Sequence, residues 1–293
     1  MEAKKTLKAS LVITTKNRKE ELHVALRSAI EQTVQPEIIV IDDGSTDGTA
    51  EMVLAQFPEV KLHRFVESKG LIVRRNDGAK LALGDIIFSI DDDAAFSTPH
   101  IIAQTLADFN DPRIGAVAIP FIDVKKNQRL QQSAPDKEKN WITNTYIGTA
   151  HAVRKEVFLQ LGGYREHLVH QGEESDYCIR LLGAGHVVRL GRADPIHHFE
   201  SPKRDHQRMD FYGCRNSILF AWQNVPALYL PVYLAGTTFN CLRWTFLPHR
   251  FFTRLKGILA GYRDGLKSSR QPVAKSTYLR WRSLKKNRAT SLD

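Results

Sequence analysis

Cysteine is scarce in this sequence. Cys178, Cys214 and Cys241 are the only three in 293 residues, and no Cys-x-x-Cys pair occurs. An odd, scattered set argues against a disulfide framework or a zinc knuckle, and makes a reducing cytoplasm the expected setting. Glycine is missing from "TTKNRKEE", the segment that follows the first apolar run. A nucleotidyltransferase phosphate loop and a Gly-x-Gly-x-x-Gly dinucleotide site both need glycine there, so both readings fall. Long apolar runs are also rare. The one that follows Lys4, Lys5 and Lys8 is too short for a signal peptide.

Charge disappears altogether between Arg215 and Arg243. That stretch is long enough to raise the question of a membrane span. Asn216, Gln223, Asn224, Thr237, Thr238 and Asn240 make it polar for one, and Pro226 and Pro231 interrupt it. Acidic residues are then nearly absent from the tail. From Arg243 to Arg288, thirteen Lys and Arg face Asp264 alone. Much of the net charge of +10 therefore sits at the C-terminal end, and an anionic partner is expected. No nucleic-acid motif accompanies the charge, so no nucleic-acid partner is expected.

What is present is alternation. "ASLVITT", "PEIIVID", "VKLHRFV" and "DIIFSI" are short apolar, β-branched runs that read as strands. Between them, "KNRKEELHVALRSAIEQT", "TAEMVLAQF" and "LIVRRNDGAKLALG" read as helices; Leu22, Ala25, Leu26, Ala29 and Ile30 keep helical spacing. Strands and helices in turn imply an α/β fold with a mostly parallel sheet covered on both faces. Further along, "IGAVAIPFID" reads as a strand and "RLQQSAPDKEKN" as a polar loop. "YIGTAHAVRKEVFLQLGGY" reads as a strand and helix, "EESDYCIRLLGAG" as a helix, "HVVRL" as a strand and "IHHFESP" as a loop. Beyond Arg204 the chain reads as mostly helical.

Ligands of such sheets bind at the carboxyl ends of strands. Thr14–Thr15, Asp42–Asp43 and the run Asp91–Asp92–Asp93 all lie at such ends. Three adjacent carboxylates are costly to desolvate unless paired. The run is either a solvated turn or a cation site. Asp91 and Asp93, two residues apart, aim the same way from an extended backbone and suit a divalent ion that bridges a diphosphate. In "VIDDGSTDG", one of Ser45, Thr46 and Asp47 caps the next helix, which leaves Asp42 and Asp43 to be explained.

Six segments, in order, carry a resemblance: "LVITTKNR", "SAIEQT", "EIIVIDDGSTDGT", "RRNDGAKLALGDIIFSIDDD", "GTAHAVRKEVFLQLGGYRE" and "GEESDYCIRLLGAG". Together they resemble glycosyltransferase family 2 of bacterial type, enzymes of the GT-A fold, over Ser10 to Gly185. The resemblance implies a nucleoside-diphosphate sugar donor (UDP or dTDP), Mg²⁺ or Mn²⁺, and inversion at the sugar carbon. It puts Thr14, Thr15, Asp42, Asp43 and Arg75 on the nucleotide side, with Thr14 and Asp43 at the base. Asp91, Asp92 and Asp93 match the family's Asp-x-Asp motif, in which the last aspartate binds metal and an earlier one faces the ribose. "GEESDY" matches the acidic motif that supplies the catalytic base. Glu174 holds that place where the family usually has Asp, with Glu173 and Asp176 as alternatives. Among the late histidines His197 and His198, His198 is preferred as a metal ligand, and Lys203 and Arg204 as screens for phosphate.

The expected organisation is a GT-A domain over 8–205, with a nucleotide-binding half (8–110) and an acceptor half (111–205), then a helical basic extension over 206–293. Trp222, Tyr229, Tyr233, Trp244 and Phe246, followed by the Lys/Arg run, suit an anionic membrane surface. The expectation is a cytoplasmic enzyme, peripheral on the cytoplasmic face of the membrane. It would serve a glycan or lipid-linked acceptor in polysaccharide and cell-envelope synthesis. The rival is a non-catalytic nucleotide-sugar or membrane-binding module of the same fold.

Overall fold

Apolar runs four to seven residues long, each stopped by a polar turn, build the parallel half of the structure. In chain order these elements are β1 (Ala9–Thr15), α1 (Lys19–Ile30), β2 (Glu37–Asp42), α2 (Thr49–Gln56), β3 (Lys61–Arg64), α3 (Leu71–Leu81) and β4 (Ile86–Ile90). The computed structural model describes residues 6–200, 205–243 and 248–292. Lys203, Arg204, Trp244 and Phe246, singled out above, lie outside the described residues.

β1 pairs in parallel with β2 on one side and β4 on the other, and β2 pairs in parallel with β3. Strands buried on both faces need apolar side chains in both directions. Leu11, Ile13 and Phe88 pack to one side with Leu22 and Leu26 of α1. Val12, Ile39, Ile41 and Ile87 pack to the other with Ala79 of α3. Each such fully buried side chain contributes about 1.5–3 kcal/mol. α3 approaches β1 closely because Gly78 lacks a Cβ, which would meet Val12. That approach brings Arg74 and Arg75 to the strand ends.

The second half is mixed rather than parallel. It comprises β5 (Ala94–Phe96), α4 (Ile101–Ala107), β6 (Ile114–Ala118), β7 (Phe121–Asp123), β8 (Leu130–Gln131), β9 (Trp141–Thr143) and β10 (Ala150–Arg154), then α5 (Lys155–Gln160), α6 (Glu173–Gly183), β11 (Val187–Leu190) and β12 (Ile196–His198). β10 lies antiparallel between β4 and β6, and β11 runs parallel to β6.

Two expectations change here. "IGAVAIPFID" is two strands, split where Pro120 offers no N–H to the ladder. β6 stays in the main sheet and β7 enters a second, four-stranded sheet of order β5-β12-β7-β8. "IHHFESP" opens as a strand, not a loop, because β12 is paired on both sides, antiparallel to β5 and parallel to β7. That pairing decides where His198 goes.

The tail is helical, as expected: α7 (His206–Asn224), α8 (Leu230–Leu242), α9 (Pro248–Lys267) and α10 (Lys275–Asn287). α7 and α9 meet through a glycine face, Gly257, Gly261 and Gly265. A Cβ at Gly261 would lie 2.7 Å from the Arg215 carbonyl oxygen. The tail does not stand apart from the sheet. Tyr278, Trp281 and Leu284 of α10 join the main core. A last strand, β13 (Thr290–Ser291), pairs antiparallel with β9 and becomes the edge of the nine-stranded sheet. Among the described residues, no helix is long and apolar enough to cross a membrane.

Candidate active site

A cleft of about 830 Å³ opens at the carboxyl ends of β1, β2 and β4. Its floor is the triple aspartate run, and the fold separates the three charges by giving each its own partners. Asp91 accepts from Arg75 Nη2 at 2.9 Å. Asp92 accepts from Thr15 Oγ1 at 2.8 Å. Asp93 pairs with Arg18 Nη1 at 2.7 Å, and the same nitrogen lies 3.3 Å from Asp92. The run is a turn in which Asp92 and Asp93 are buried and Asp91 is partly exposed, and cations of the chain itself offset part of its charge.

The small second sheet delivers the histidine. β5 follows the aspartates directly, and its pairing with β12 sets His198 opposite Ala94. The pairing of β12 with β7 sets His198 beside Asp123. His198 Nε2 then lies 3.3 Å from Asp93 and Nδ1 2.5 Å from Asp123. Side chains alternate along a strand, so His197 faces the other way, edge-on to Phe199.

Ligand atoms of Asp91, Asp93 and His198 all fall within 4.8 Å of one another. Two carboxylates and one imidazole suit Mg²⁺ or Mn²⁺, and an Asp–His pair behind a ligand is the usual orienting device. The electrostatics agree. Burial pushes Asp92 up to about 7. Burial also opposes ionisation of Asp93, but the bond to His198 and the charge of Arg18 outweigh it and hold Asp93 well below the usual range. Burial disfavours the His198 cation, yet bonds to Asp93 and Asp123 raise its pKa.

On the nucleotide side, Asp43 lines the cleft and accepts four hydrogen bonds. They come from Ser68 Oγ at 2.6 Å, Lys69 N at 2.8 Å, Gly70 N at 2.9 Å and Arg74 Nε at 2.6 Å. It therefore shapes the 68–70 wall as well as facing the cleft. Thr14 lines the cleft with a buried hydroxyl that has no partner among the described residues. Asp42 corrects the expectation. It is fully buried, does not line the cleft, and holds the Gly44 turn by accepting from Ser45 N at 2.8 Å. A strand-end carboxylate with no solvent access braces its own turn.

The acids that open α6 divide by environment. Asp176 is buried and takes Arg165 at 2.7 Å, Arg180 at 3.0 Å and Asn224 Nδ2 at 2.8 Å. Two guanidiniums and the Asn224 amide occupy its carboxylate, which makes it a structural tie between α6 and α7 rather than a candidate for the base. Glu173 and Glu174 stand with Arg75 instead. Arg75 Nη1 lies 3.5 Å from Glu173, while Nη2 holds Asp91 and the Gly148 carbonyl, both at 2.9 Å.

Arg75 is thus not a cleft-wall residue on the nucleotide side. It is buried behind Asp91 and joins that carboxylate to the acid pair. Glu174 accepts from the Gly148 backbone. A Cβ on Gly148 would collide with the Glu174 carboxylate and lie 2.8 Å from Arg75 Nη1. Burial, then the neighbouring Glu174, push Glu173 up to about 8. Burial raises Glu174 too, against the pull of Arg75. The two titrate as a unit. Glu173 is almost wholly buried and Glu174 half-buried, with the Glu174 carboxyl turned inward against Gly148 and Arg75; neither glutamate lines the cleft.

Arg18 and Asp123 escaped the sequence reading. Arg18 had a signal, a cation three residues past the end of an apolar run beside the other strand ends. Asp123 had none, because only the β7–β12 register reveals it.

Comparison with known proteins bears on this geometry. The sequence model described as Glycosyl transferase family 2 matches residues 10–162, just over half of the chain. A glucosyl-dolichyl phosphate glucuronosyltransferase from Haloferax volcanii is 27% identical over 201 residues, 60% of this chain and 63% of that protein. The chain thus spans less than two thirds of that relative's length. The O-antigen chain rhamnosyltransferase RfbN from Salmonella typhimurium is 25% identical over 223 residues, 69% of this chain and 70% of that one. Among solved structures, a mannosyltransferase from Pyrobaculum calidifontis in complex with GDP-Man and Mn²⁺ superimposes with a TM-score of 0.59 at 17% identity. It covers 95% of this chain and 79% of the other.

Proposed function

The chain belongs to glycosyltransferase family 2, and from that premise we propose that it is an inverting, metal-dependent transferase. It moves a hexosyl or deoxyhexosyl group from a UDP- or dTDP-sugar to a hydroxyl of a lipid-linked or polysaccharide acceptor. The observation that carries this reading is the convergence of Asp91, Asp93 and His198 within 4.8 Å at the floor of the cleft. Arg75 ties that cluster to the two glutamates. The names of the Haloferax and Salmonella relatives point to lipid-linked and O-antigen chemistry and support the acceptor class.

Asp91, Asp93 and His198 would hold Mg²⁺ or Mn²⁺. When bound there, the ion supplies positive charge for the diphosphate oxygens. Thr14 and Asp43 face the nucleotide. Glu174, ionised, takes the proton of the acceptor hydroxyl as its oxygen bonds to the anomeric carbon. The bond from that carbon to the diphosphate breaks on the opposite face, which inverts the centre and needs no carboxylate nucleophile. A raised pKa keeps Glu174 basic enough to accept the proton, and Arg75 holds enough positive charge nearby to let it ionise.

We also place the enzyme on the cytoplasmic face of a membrane, as a peripheral protein. Phe252, Leu259 and Leu266 of α9 are each at least 60% exposed. They form one stripe opposite the glycine face, with Lys256, Arg263 and Lys267 alongside. A stripe flanked by cations is the pattern of an interfacial helix.

The test is a donor screen by thermal shift with and without Mn²⁺. A metal-dependent rise with one nucleoside-diphosphate sugar, lost in Asp93→Ala, supports the reading. Equal shifts in the presence of a chelator count against it.

A further inference from the structure

The donor chemistry makes no use of three amides that keep the uncharged stretch too polar for a membrane span. Asn216, Gln223 and Asn224 are all buried, and their spacing puts them on one face of α7. It is not the face that meets α9, where Phe211, Arg215 and Ile218 make the contact. It meets residues 161–172, the connection between α5 and α6, and the start of α6 itself. Gln223 touches His167 Nε2 at 2.9 Å and accepts from Arg165 Nη1 at 3.1 Å. Asn224 donates to Asp176 at 2.8 Å. Asn216 makes the densest set. Its Nδ2 lies 2.8 Å from the Leu168 carbonyl oxygen, 2.8 Å from that of His170 and 2.7 Å from that of Gln171. Three carbonyl oxygens admit only the amide nitrogen there, and its two hydrogens are shared among them. Asn216 Oδ1 accepts from Arg215 Nη1 at 2.9 Å, and the same nitrogen donates to the His167 carbonyl at 3.0 Å. Asp264 of α9 holds that guanidinium at 2.8 Å, which gives the lone acid of the basic tail a place behind the clamp.

The connection needs holding. Val169 has φ 64° and ψ −46°, and His170 N donates to the Leu168 carbonyl across it at 2.6 Å. That is a γ-turn of the rare, strained hand, at a β-branched residue that avoids positive φ. Gln171 also has a positive φ, 65°. Strain of this kind persists only where the surroundings over-determine it. The strained stretch serves the site twice. Val169, His170 and Gln171 line the donor cleft. Gly172 is the N-cap of α6, and the glutamate pair follows it.

We infer that Asn216 is a positioning residue of the transferase site: its amide holds residues 168–172 on the strained path that forms one wall of the donor cleft and fixes where α6 begins. The inference rests on the transferase reading above, and adds to it a residue of α7 that does not itself line the cleft. An amide that served stability alone would leave donor affinity and turnover per folded molecule as they are. A positioning amide moves both, because the wall and the start of α6 shift together when it is lost.

Two variants of the full chain test it. Asn216→Asp keeps the size of the side chain but turns an acceptor toward three carbonyl oxygens. Asn216→Ala removes the amide; Asn216 borders a second cavity of about 520 Å³, so water can reach the carbonyls it frees, and this variant carries the test if the aspartate does not fold. Gly261→Leu, on the α9 side of α7, is the control for lost stability alone. Hydrogen exchange read by mass spectrometry should be about tenfold faster over residues 165–172 in the Asn216 variants, with β1, β2 and β4 unchanged, the mark of a local opening. Gly261→Leu should show no such selective change. Calorimetric titration with UDP and with dTDP, each with Mn²⁺, should show the nucleotide that the unaltered protein binds held about fivefold more weakly, the scale of one lost hydrogen bond. With the matching sugar nucleotide, Asn216→Ala should raise the donor KM and lower kcat together, as displacement of a shared segment does. Glu174→Gln should lower kcat alone, and Gly261→Leu should change neither. Unaltered exchange over 165–172, or affinity and kcat per folded molecule equal to those of the unaltered protein, overturns the inference. Failure of the unaltered protein to bind either nucleotide with Mn²⁺ would count against the donor reading alone, and the exchange result would still decide whether Asn216 holds the segment.

Discussion

The strand ends that floor the cleft and the α7–α9 layer of the tail solve opposite problems. At the strand ends, charge is concentrated and every charge has a partner of fixed geometry. Asp91, Asp92 and Asp93 each bond to a different group, drawn from Arg75, Thr15, Arg18 and His198. In the tail layer, the contact is made by what is missing. Gly257 and Gly261 let α9 touch the α7 backbone and Gly265 meets the Trp222 side chain, while ion pairs of Arg215 with Asp264 and of Arg250 and Arg254 with Asp210 tie the two helices at the edges of that contact. The first region spends stability on a prepared site, and the second is packed for stability and leaves only the cations of the outer α9 face, such as Lys256, to solvent. Substitutions should therefore separate. Changes at the strand ends should remove activity and spare the fold, and changes in the tail layer should cost stability or location and spare the chemistry.

The sharpest separation is expected at Asp93. Asp93→Ala should abolish transfer and metal-dependent donor binding, with a melting temperature close to that of the unaltered protein. A variant that keeps full activity in a chelator would collapse the contrast. The same cluster predicts a pH effect. His198 holds a proton more tightly than usual because Asp93 and Asp123 face it, and an imidazole must be neutral to ligate. Mn²⁺ affinity, measured by titration calorimetry, should fall as pH drops and His198 becomes charged.

Next comes Glu174→Gln, with an expected loss of about a hundredfold in kcat, the scale of general-base removal, and donor affinity kept. If Glu173→Gln is the inactive variant instead, the roles within the pair are reversed. A carboxyl with a raised pKa is neutral below that pKa and cannot accept a proton. The rate should therefore rise with pH toward the range of the pair, in which Glu173 sits at about 8. A rate that falls from pH 6 to 8 would contradict the assignment.

The two regions also differ in how far the sequence discloses them. β1, β2 and β4 were legible because a β-branched run that stops at an acid is a local signal. Thr14, Asp43, Asp91 and Asp93 could be named for the same reason. His198 was named from a family likeness, and only the pairing of β12 with β5 and β7 explains its position. Asp42 and Asp176 looked alike in sequence to the residues beside them. Burial and partners as distant as Asn224 decide that they are structural, and no local pattern carries that. In the tail, helices were legible from composition. The return of residues 290–291 to the sheet edge was not, since two residues of strand carry no periodicity.

A smaller effect, on stability, should follow Gly261→Leu. A Cβ there meets the Arg215 carbonyl oxygen at 2.7 Å and Ile218 at 2.8 Å. Neither backbone can retreat without parting α7 from α9. Overpacking of this kind costs about 1–3 kcal/mol. Urea denaturation should show the loss, while kcat per folded molecule stays within twofold. If kcat collapses while the denaturation midpoint is unchanged, the tail layer takes part in the chemistry and the contrast between the regions fails.

The smallest effect concerns the outer face of α9 and separates location from folding. Lys256 is exposed beside the Phe252–Leu259–Leu266 stripe and holds no ion pair among the described residues. If that face meets an anionic bilayer, one cation near the surface contributes about 1 kcal/mol. Lys256→Ala should then weaken co-sedimentation with vesicles rich in anionic lipid about fivefold at low salt, the fold-change that such an energy gives. The difference should shrink at 1 M salt, where the Debye length is only about 3 Å. Binding to neutral vesicles should not change, because the apolar stripe is intact. Leu259→Ser should do the reverse, lowering binding to both vesicle types with little dependence on salt. The pair of variants therefore reports on two forces at one surface. A cation effect without an apolar one would mean that the helix hovers over the headgroups. An apolar effect without a cation one would mean that it inserts wherever lipid is offered. Neither variant should move the melting temperature by more than a degree or two, since both side chains point away from the glycine face that holds α9 in place.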